Sequence, residues 1–120
     1  MSRYEKTGER PTDYSKWHRT LSDECKVQDV DWVEYRIEND KPVIKAIIET
    51  GRWNKTKFVG NQIKVAKIVA EKLGVPCFFV EYSINDDNYE KNVFKVINLE
   101  NEKKFRIMSN IEYSNFIIGL

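Results

Sequence analysis

The sequence predicts one α/β domain, a mixed β-sheet flanked by helices. Three observations lead there. Two apolar runs flank the turn-forming "ENDK" at 38–41, which is a hairpin pattern. Residues 61–73 repeat apolar side chains at helical spacing. The dense run "VPCFFVEYS" at 75–83 follows at once and reads as a central strand. Strand, helix, strand in that order calls for a right-handed crossover and a parallel neighbour. The hairpin adds an antiparallel part.

Residues 1–12 are polar, with Gly8 and Pro11 as breakers, and read as a flexible arm before a domain at 13–120. Asp13 can cap a short helix at 14–21, with Tyr14, Trp17 and Leu21 on one stripe. A strand is expected at 27–37, with Asp29 and Asp31 on the same face as Val33 and Tyr35. The partner strand runs 42–50. There Ile44, Ala46 and Ile48 share one face; Lys45, Ile47 and Glu49 share the other. The helix at 61–73 buries Ile63, Ala66, Val69, Ala70 and Leu73 and stops at Gly74. An acidic turn at 85–92 lacks the spacing of a calcium loop. Strands at 93–99 and 105–108 follow, then a helix capped by Ser109 and ending at 116 or 118.

A chain of 120 residues can build one real core without disulfides. Twenty basic against 19 acidic residues is no polycation, so a nucleic-acid partner would need a local basic surface. No apolar run approaches the roughly 18 residues of a membrane span, and neither a membrane partner nor a signal peptide is expected. Cys25 and Cys77 form no CxxC pair and suit reduced thiols in a cytoplasmic setting. Cys77 reads as core filling.

The candidate chemistry lies in the hairpin. A turn near Asn39 and Asp40 sets Asp31 roughly opposite Glu49. Adjacent carboxylates repel and desolvate badly unless something positive joins them. A divalent ion with oxygen ligands is the usual reason to tolerate them. Asp29 and Glu24 are further carboxylates nearby, and the Thr50 carbonyl is an additional oxygen. The competing view places Asp29, Asp31 and Glu49 on a solvated sheet edge, in salt links with Lys45 or Arg52.

Two segments together, "DVDWVEYRIENDKPVIKAIIETG" at 29–51 and "QIKVAKIVAEKLGVPCFFVEY" at 62–82, resemble the PD-(D/E)xK nuclease superfamily. The likeness is greatest to its small restriction-endonuclease-like proteins from viruses and microbes, which also carry an upstream segment like "YSKWHRTL" at 14–21. The resemblance implies a restriction-endonuclease-like sheet, magnesium or manganese as cofactor, and DNA as substrate. It makes Asp31 and Glu49 metal ligands with Thr50, and sets Gln62 near the scissile phosphate. The family lysine belongs two positions after the glutamate, where this chain has Gly51. Lys45 or Arg52 is then the substitute cation, followed by Lys64 or Lys67.

His18 and Arg19, in "KWHR", are candidate phosphate contacts. Trp53 with Arg52, Lys55, Lys57 and Lys64 can stack a base and hold backbone phosphates, or Trp53 can anchor its loop. Trp17, Trp32, Phe78, Phe79 and Tyr82 read as core. The apolar C-terminus at 113–120 either covers the sheet or makes a homodimer patch. Two other functions stay open beside the nuclease: an inactive relative that binds nucleic acid or protein, and a structural interaction protein of a virus.

Overall fold

The two apolar runs around "ENDK" form the hairpin that organises the molecule. In a computed structural model, which describes residues 12–53 and 60–120, β1 (Trp32–Glu38) and β2 (Lys41–Arg52) pair antiparallel. Asn39 and Asp40 take φ of 52° and 63° between them. Two positive φ values make the turn whose twist matches the strands, and Asn and Asp tolerate that region best after glycine. The pairing starts at Trp32 opposite Ile48 and ends at Glu38 opposite Lys41. A bulge falls where Glu34 opposes Ala46 and Tyr35 opposes Ile44, leaving Lys45 as the extra residue. Directly opposed side chains share a face. Ile44 therefore lies with Tyr35, and Ala46 with Glu34, so the expected grouping of Ile44 with Ala46 is broken by the bulge.

The N-terminal helix α1 is Asp13–His18, and α2 is Gly60–Leu73. Helix α2 carries the chain from β2 to β3 (Cys77–Ser83), which lies parallel to β2. Then β4 (Val93–Asn98) and β5 (Phe105–Ser109) add antiparallel strands. A short 3₁₀ turn, Tyr89–Lys91, precedes β4. The sheet order is β1-β2-β3-β4-β5. Helix α3, Asn110–Ile118, follows β5 directly. The fold is thus a single α/β domain with a mixed sheet flanked by helices.

The sheet has an apolar layer on each face. Ile47, Cys77, Phe79, Ile97 and Leu99 pack under Ile63, Ala66 and Ala70 of α2. Ala46, Ile48, Phe78, Val80, Phe94, Val96 and Met108 pack on the other side against Tyr113, Phe116, Ile117 and Leu120. Two-sided burial explains the unbroken apolar runs "AII" and "CFFV" of the parallel pair. Of the C-terminal segment, Tyr113, Phe116, Ile117 and Leu120 cover the sheet, while Ile118 stays exposed.

Three expectations are corrected. β1 begins at Trp32 and not at residue 27, because Asp31 gives its N–H to a side chain and leaves the ladder. The N-terminal helix ends at His18, buries nothing, and leaves Tyr14, Trp17 and Leu21 exposed. Trp17 and Trp32 are 53% and 55% exposed and are not core residues. The arm at 1–12 falls outside the described residues except for Thr12. No described helix is long and apolar enough to cross a membrane.

Candidate active site

Glu49 alternates with Ile47, so β2 carries its carboxylate into the α2 layer. It is only 1% exposed. One oxygen, Oε2, accepts the backbone N–H of Asp31 at 2.8 Å. The other, Oε1, faces the side-chain Nε2 of Gln62 at 3.4 Å. Burial pushes the Glu49 pKa up and the charge of Asp31 adds to this, while the two hydrogen bonds oppose it; the net direction is up.

Asp31 returns the contact. Its Oδ2 accepts the Thr50 backbone N–H at 3.0 Å, with Thr50 Oγ1 3.5 Å from the same oxygen. The two carboxylates are crossed, each accepting a main-chain N–H from the other's segment. This crossing holds two like charges together at the open end of the hairpin. Trp32 Nε1 donates to Thr50 Oγ1 at 3.1 Å and braces the arrangement. Gln28 Nε2 donates to the Gln62 carbonyl at 2.8 Å and ties the segment before β1 to the first turn of α2. The solvated-edge alternative does not describe Glu49, which is buried, although Asp31 is exposed.

The donor set is all oxygen, which suits a hard divalent cation. A carboxylate has about four lone-pair positions, so the N–H bonds leave acceptor capacity on both side chains. A residue on an antiparallel ladder turns its N–H and C=O to the same neighbour. The Thr50 carbonyl therefore faces the Asp31 side with the Thr50 N–H. Among the described residues no group of three His, Cys, Asp or Glu side chains converges. A cation here would rest on two carboxylates and a main-chain oxygen.

Gln62 reaches Glu49 of the pair with its side-chain amide. Lys45 does not: its ammonium sits 2.7 Å from Glu38 near the turn. Four residues of strand, roughly 13 Å, separate it from Glu49. Gly51 is buried on the Glu49 side of β2, opposite Glu81 of β3, with Lys95 opposite Glu81 in turn. The half-buried Lys95 sets its ammonium 4.7 Å from the Phe105 ring centroid. Arg52, at the end of β2, shares a cavity of about 510 Å³ with Trp53, Tyr82 and Asp86. The Trp53 backbone N–H donates to the Tyr82 carbonyl at 2.8 Å, which ties the main chain there to β3.

Lys64 is exposed on α2, two residues past Gln62. Lys55 and Lys57 lie outside the described residues. His18 and Arg19 are at the end of α1, where the His18 ring stands among Tyr14 and Trp17 at 6.2 and 6.5 Å. Sequence reading missed Gln28 and the bracing role of Trp32. Gln28 meets Gln62 across 34 positions, and no local pattern announces such a contact. Trp32, four residues before Arg36 on a strand with apolar neighbours, looks like any core aromatic until the edge position of β1 is known.

Set against family models, curated proteins and solved structures, the chain shows no match.

Proposed function

We propose that this chain is a metal-dependent nuclease-like protein that hydrolyses DNA phosphodiester bonds at Asp31 and Glu49. The observation that carries the proposal is the Glu49 carboxylate, buried beside a second carboxylate and kept there by directed hydrogen bonds. Two adjacent carboxylates, one of them buried with its pKa raised, are poor structural elements and good cation ligands. The resemblance of residues 29–51 and 62–82 to the PD-(D/E)xK superfamily supports the same assignment.

Asp31, Glu49 and the Thr50 carbonyl would hold magnesium or manganese. When bound, such an ion supplies positive charge at a phosphoryl oxygen and acidifies water. The chain does the rest. The Asp31 and Thr50 N–H groups fix both carboxylates before any ligand arrives, so little reorganisation is left for the reaction. Gln62 orients Glu49 with its amide nitrogen and leaves its amide oxygen to line up the attacking water. Arg52 lies one residue past Gly51 and, by strand alternation, on the opposite face of β2 from Glu49, so it would offset charge on the phosphate only around the strand end; it moves no proton, since guanidinium stays protonated. His18, Arg19, Trp53, Lys55, Lys57 and Lys64 are the proposed backbone contacts.

The test is cleavage of linear, circular and single-stranded DNA with magnesium, manganese or EDTA. Cleavage is expected with either metal and not with EDTA. Glu49→Ala, shown to be folded, is expected to lose at least about a hundredfold in rate. No cleavage of any form by folded wild type contradicts catalysis.

One observation favours a second reading. Gly51, on the Glu49 side, offers no side chain where the family places its lysine. An inactive nuclease-fold protein that binds nucleic acid or protein would keep the pair and lose the cation. Its binding would survive Glu49→Ala and need no metal.

A further inference from the structure

Behind the carboxylate pair, on the α3 face of the sheet, lies a cavity of about 410 Å³. Its aromatic lining comes from Trp32, Tyr82, Phe94 and Tyr113, and its carboxylate from Glu34. The ends of β2 and β3 form the floor and α3 one wall. Phe94 and Tyr113 stack on each other at 4.1 Å, so they close the inner end. Trp32, more than half exposed, and Tyr82 remain at the open end. Trp32 is also the residue bonded to Thr50, whose N–H is bonded to Asp31. The cavity mouth and the carboxylates are therefore joined through Thr50, whose hydroxyl accepts from Trp32 and whose backbone N–H donates to Asp31.

We infer that this cavity receives an unpaired nucleobase from a single DNA strand whose phosphate lies at Asp31 and Glu49. The inference takes that phosphate position from the function proposed above. A base is flat and apolar on its faces, and stacking on aromatic side chains is tolerant of base identity. A base inside a duplex is already stacked and paired, and reaching this cavity would require extruding it. Glu34 is held at 3.0 Å by Arg36, and its carboxylate accepts from an exocyclic amine at the base edge. The substrate class that fits is single-stranded DNA or a frayed end, not an intact duplex.

The test is fluorescence anisotropy in EDTA, where hydrolysis plays no part. The probes are a labelled 12-nucleotide strand, the same sequence as a blunt duplex, and free dCMP as competitor. The single strand should bind roughly tenfold tighter than the duplex. Trp32→Ala should weaken strand binding by about the same factor and duplex binding by clearly less. Trp32→Phe, which keeps a ring and loses the bond to Thr50, should retain most strand binding. Equal affinity for strand and duplex, equal losses for both in Trp32→Ala, or full competition by dCMP at the strand's own concentration would overturn the inference. Strand binding through Trp32 with no metal-dependent cleavage would keep the cavity assignment and remove the nuclease. Metal-dependent cleavage of duplex without strand preference would do the reverse.

Discussion

Glu49 is the residue on which most depends, and its environment has a measurable sign. Its pKa is raised above the ordinary 4.5 mainly by burial, with the Asp31 charge adding to it. Between 4.5 and the raised value, the folded state keeps a proton that the unfolded state has lost. Stability therefore falls as pH rises through that window and stays lower above it. Glu49→Gln removes this penalty while keeping an acceptor for the Asp31 N–H. Thermal unfolding in EDTA should show Glu49→Gln more stable than wild type at neutral pH, with the gain vanishing below pH 4.5. A less stable variant at neutral pH would mean that the carboxylate is held by interactions stronger than its burial cost. The closeness of Asp31 and Glu49 was legible to within a residue from the turn at Asn39 and Asp40; paired numbers sum to 79 beside the turn and to 80 beyond the bulge, which is what brings Asp31 level with Glu49. The crossed N–H bonds were not, since they depend on Asp31 leaving the ladder.

At the scale of elements, turn and cap chemistry was the most readable part. Gly74 ends α2 with φ of 71°, while its N–H reaches the Glu71 carbonyl at 3.1 Å and the Val75 N–H reaches Ala70 at 3.0 Å. That is a Schellman ending, which glycine suits best. Open space surrounds the position where a Cβ would stand. Gly74→Ala should therefore cost only backbone strain, about 1 kcal/mol in a denaturant titration. Ser109 likewise caps α3 in a full capping box with Glu112. The hydrogen bonds from Ser109 lower the pKa of Glu112. The bulge at Lys45 was not legible. It follows from long-range fitting of β1 to β2, and it sends a lysine expected near Glu49 to Glu38 instead. The N-terminal helix misled for another reason: its aromatic stripe has helical spacing but packs on itself, the Tyr14 and Trp17 rings tilted at 50° with centroids 5.4 Å apart.

For the whole molecule, the central strands β2 and β3 join two apolar layers that the helices cover separately. Leu99, 1% exposed at the end of β4, packs under α2, and its N–H bonds to the Cys77 carbonyl at 3.0 Å. Leu99→Ala should cost roughly 2–5 kcal/mol in denaturant unfolding. A loss within about 0.5 kcal/mol would mean that the α2 layer collapses to refill the space. Because α2 also carries Gln62, loosening this layer acts on Glu49 at a distance. The layered plan was evident from the unbroken apolar runs, since only strands buried on both faces need them. The functional plan hangs on whether the carboxylate pair, set where the β1–β2 pairing ends, accepts a cation. The most direct measurement is calorimetric titration of folded wild type and folded Glu49→Gln with manganese. One site per chain in wild type, absent in Glu49→Gln, is the predicted result. No binding to wild type, or equal binding to both, would contradict a metal site at Asp31 and Glu49.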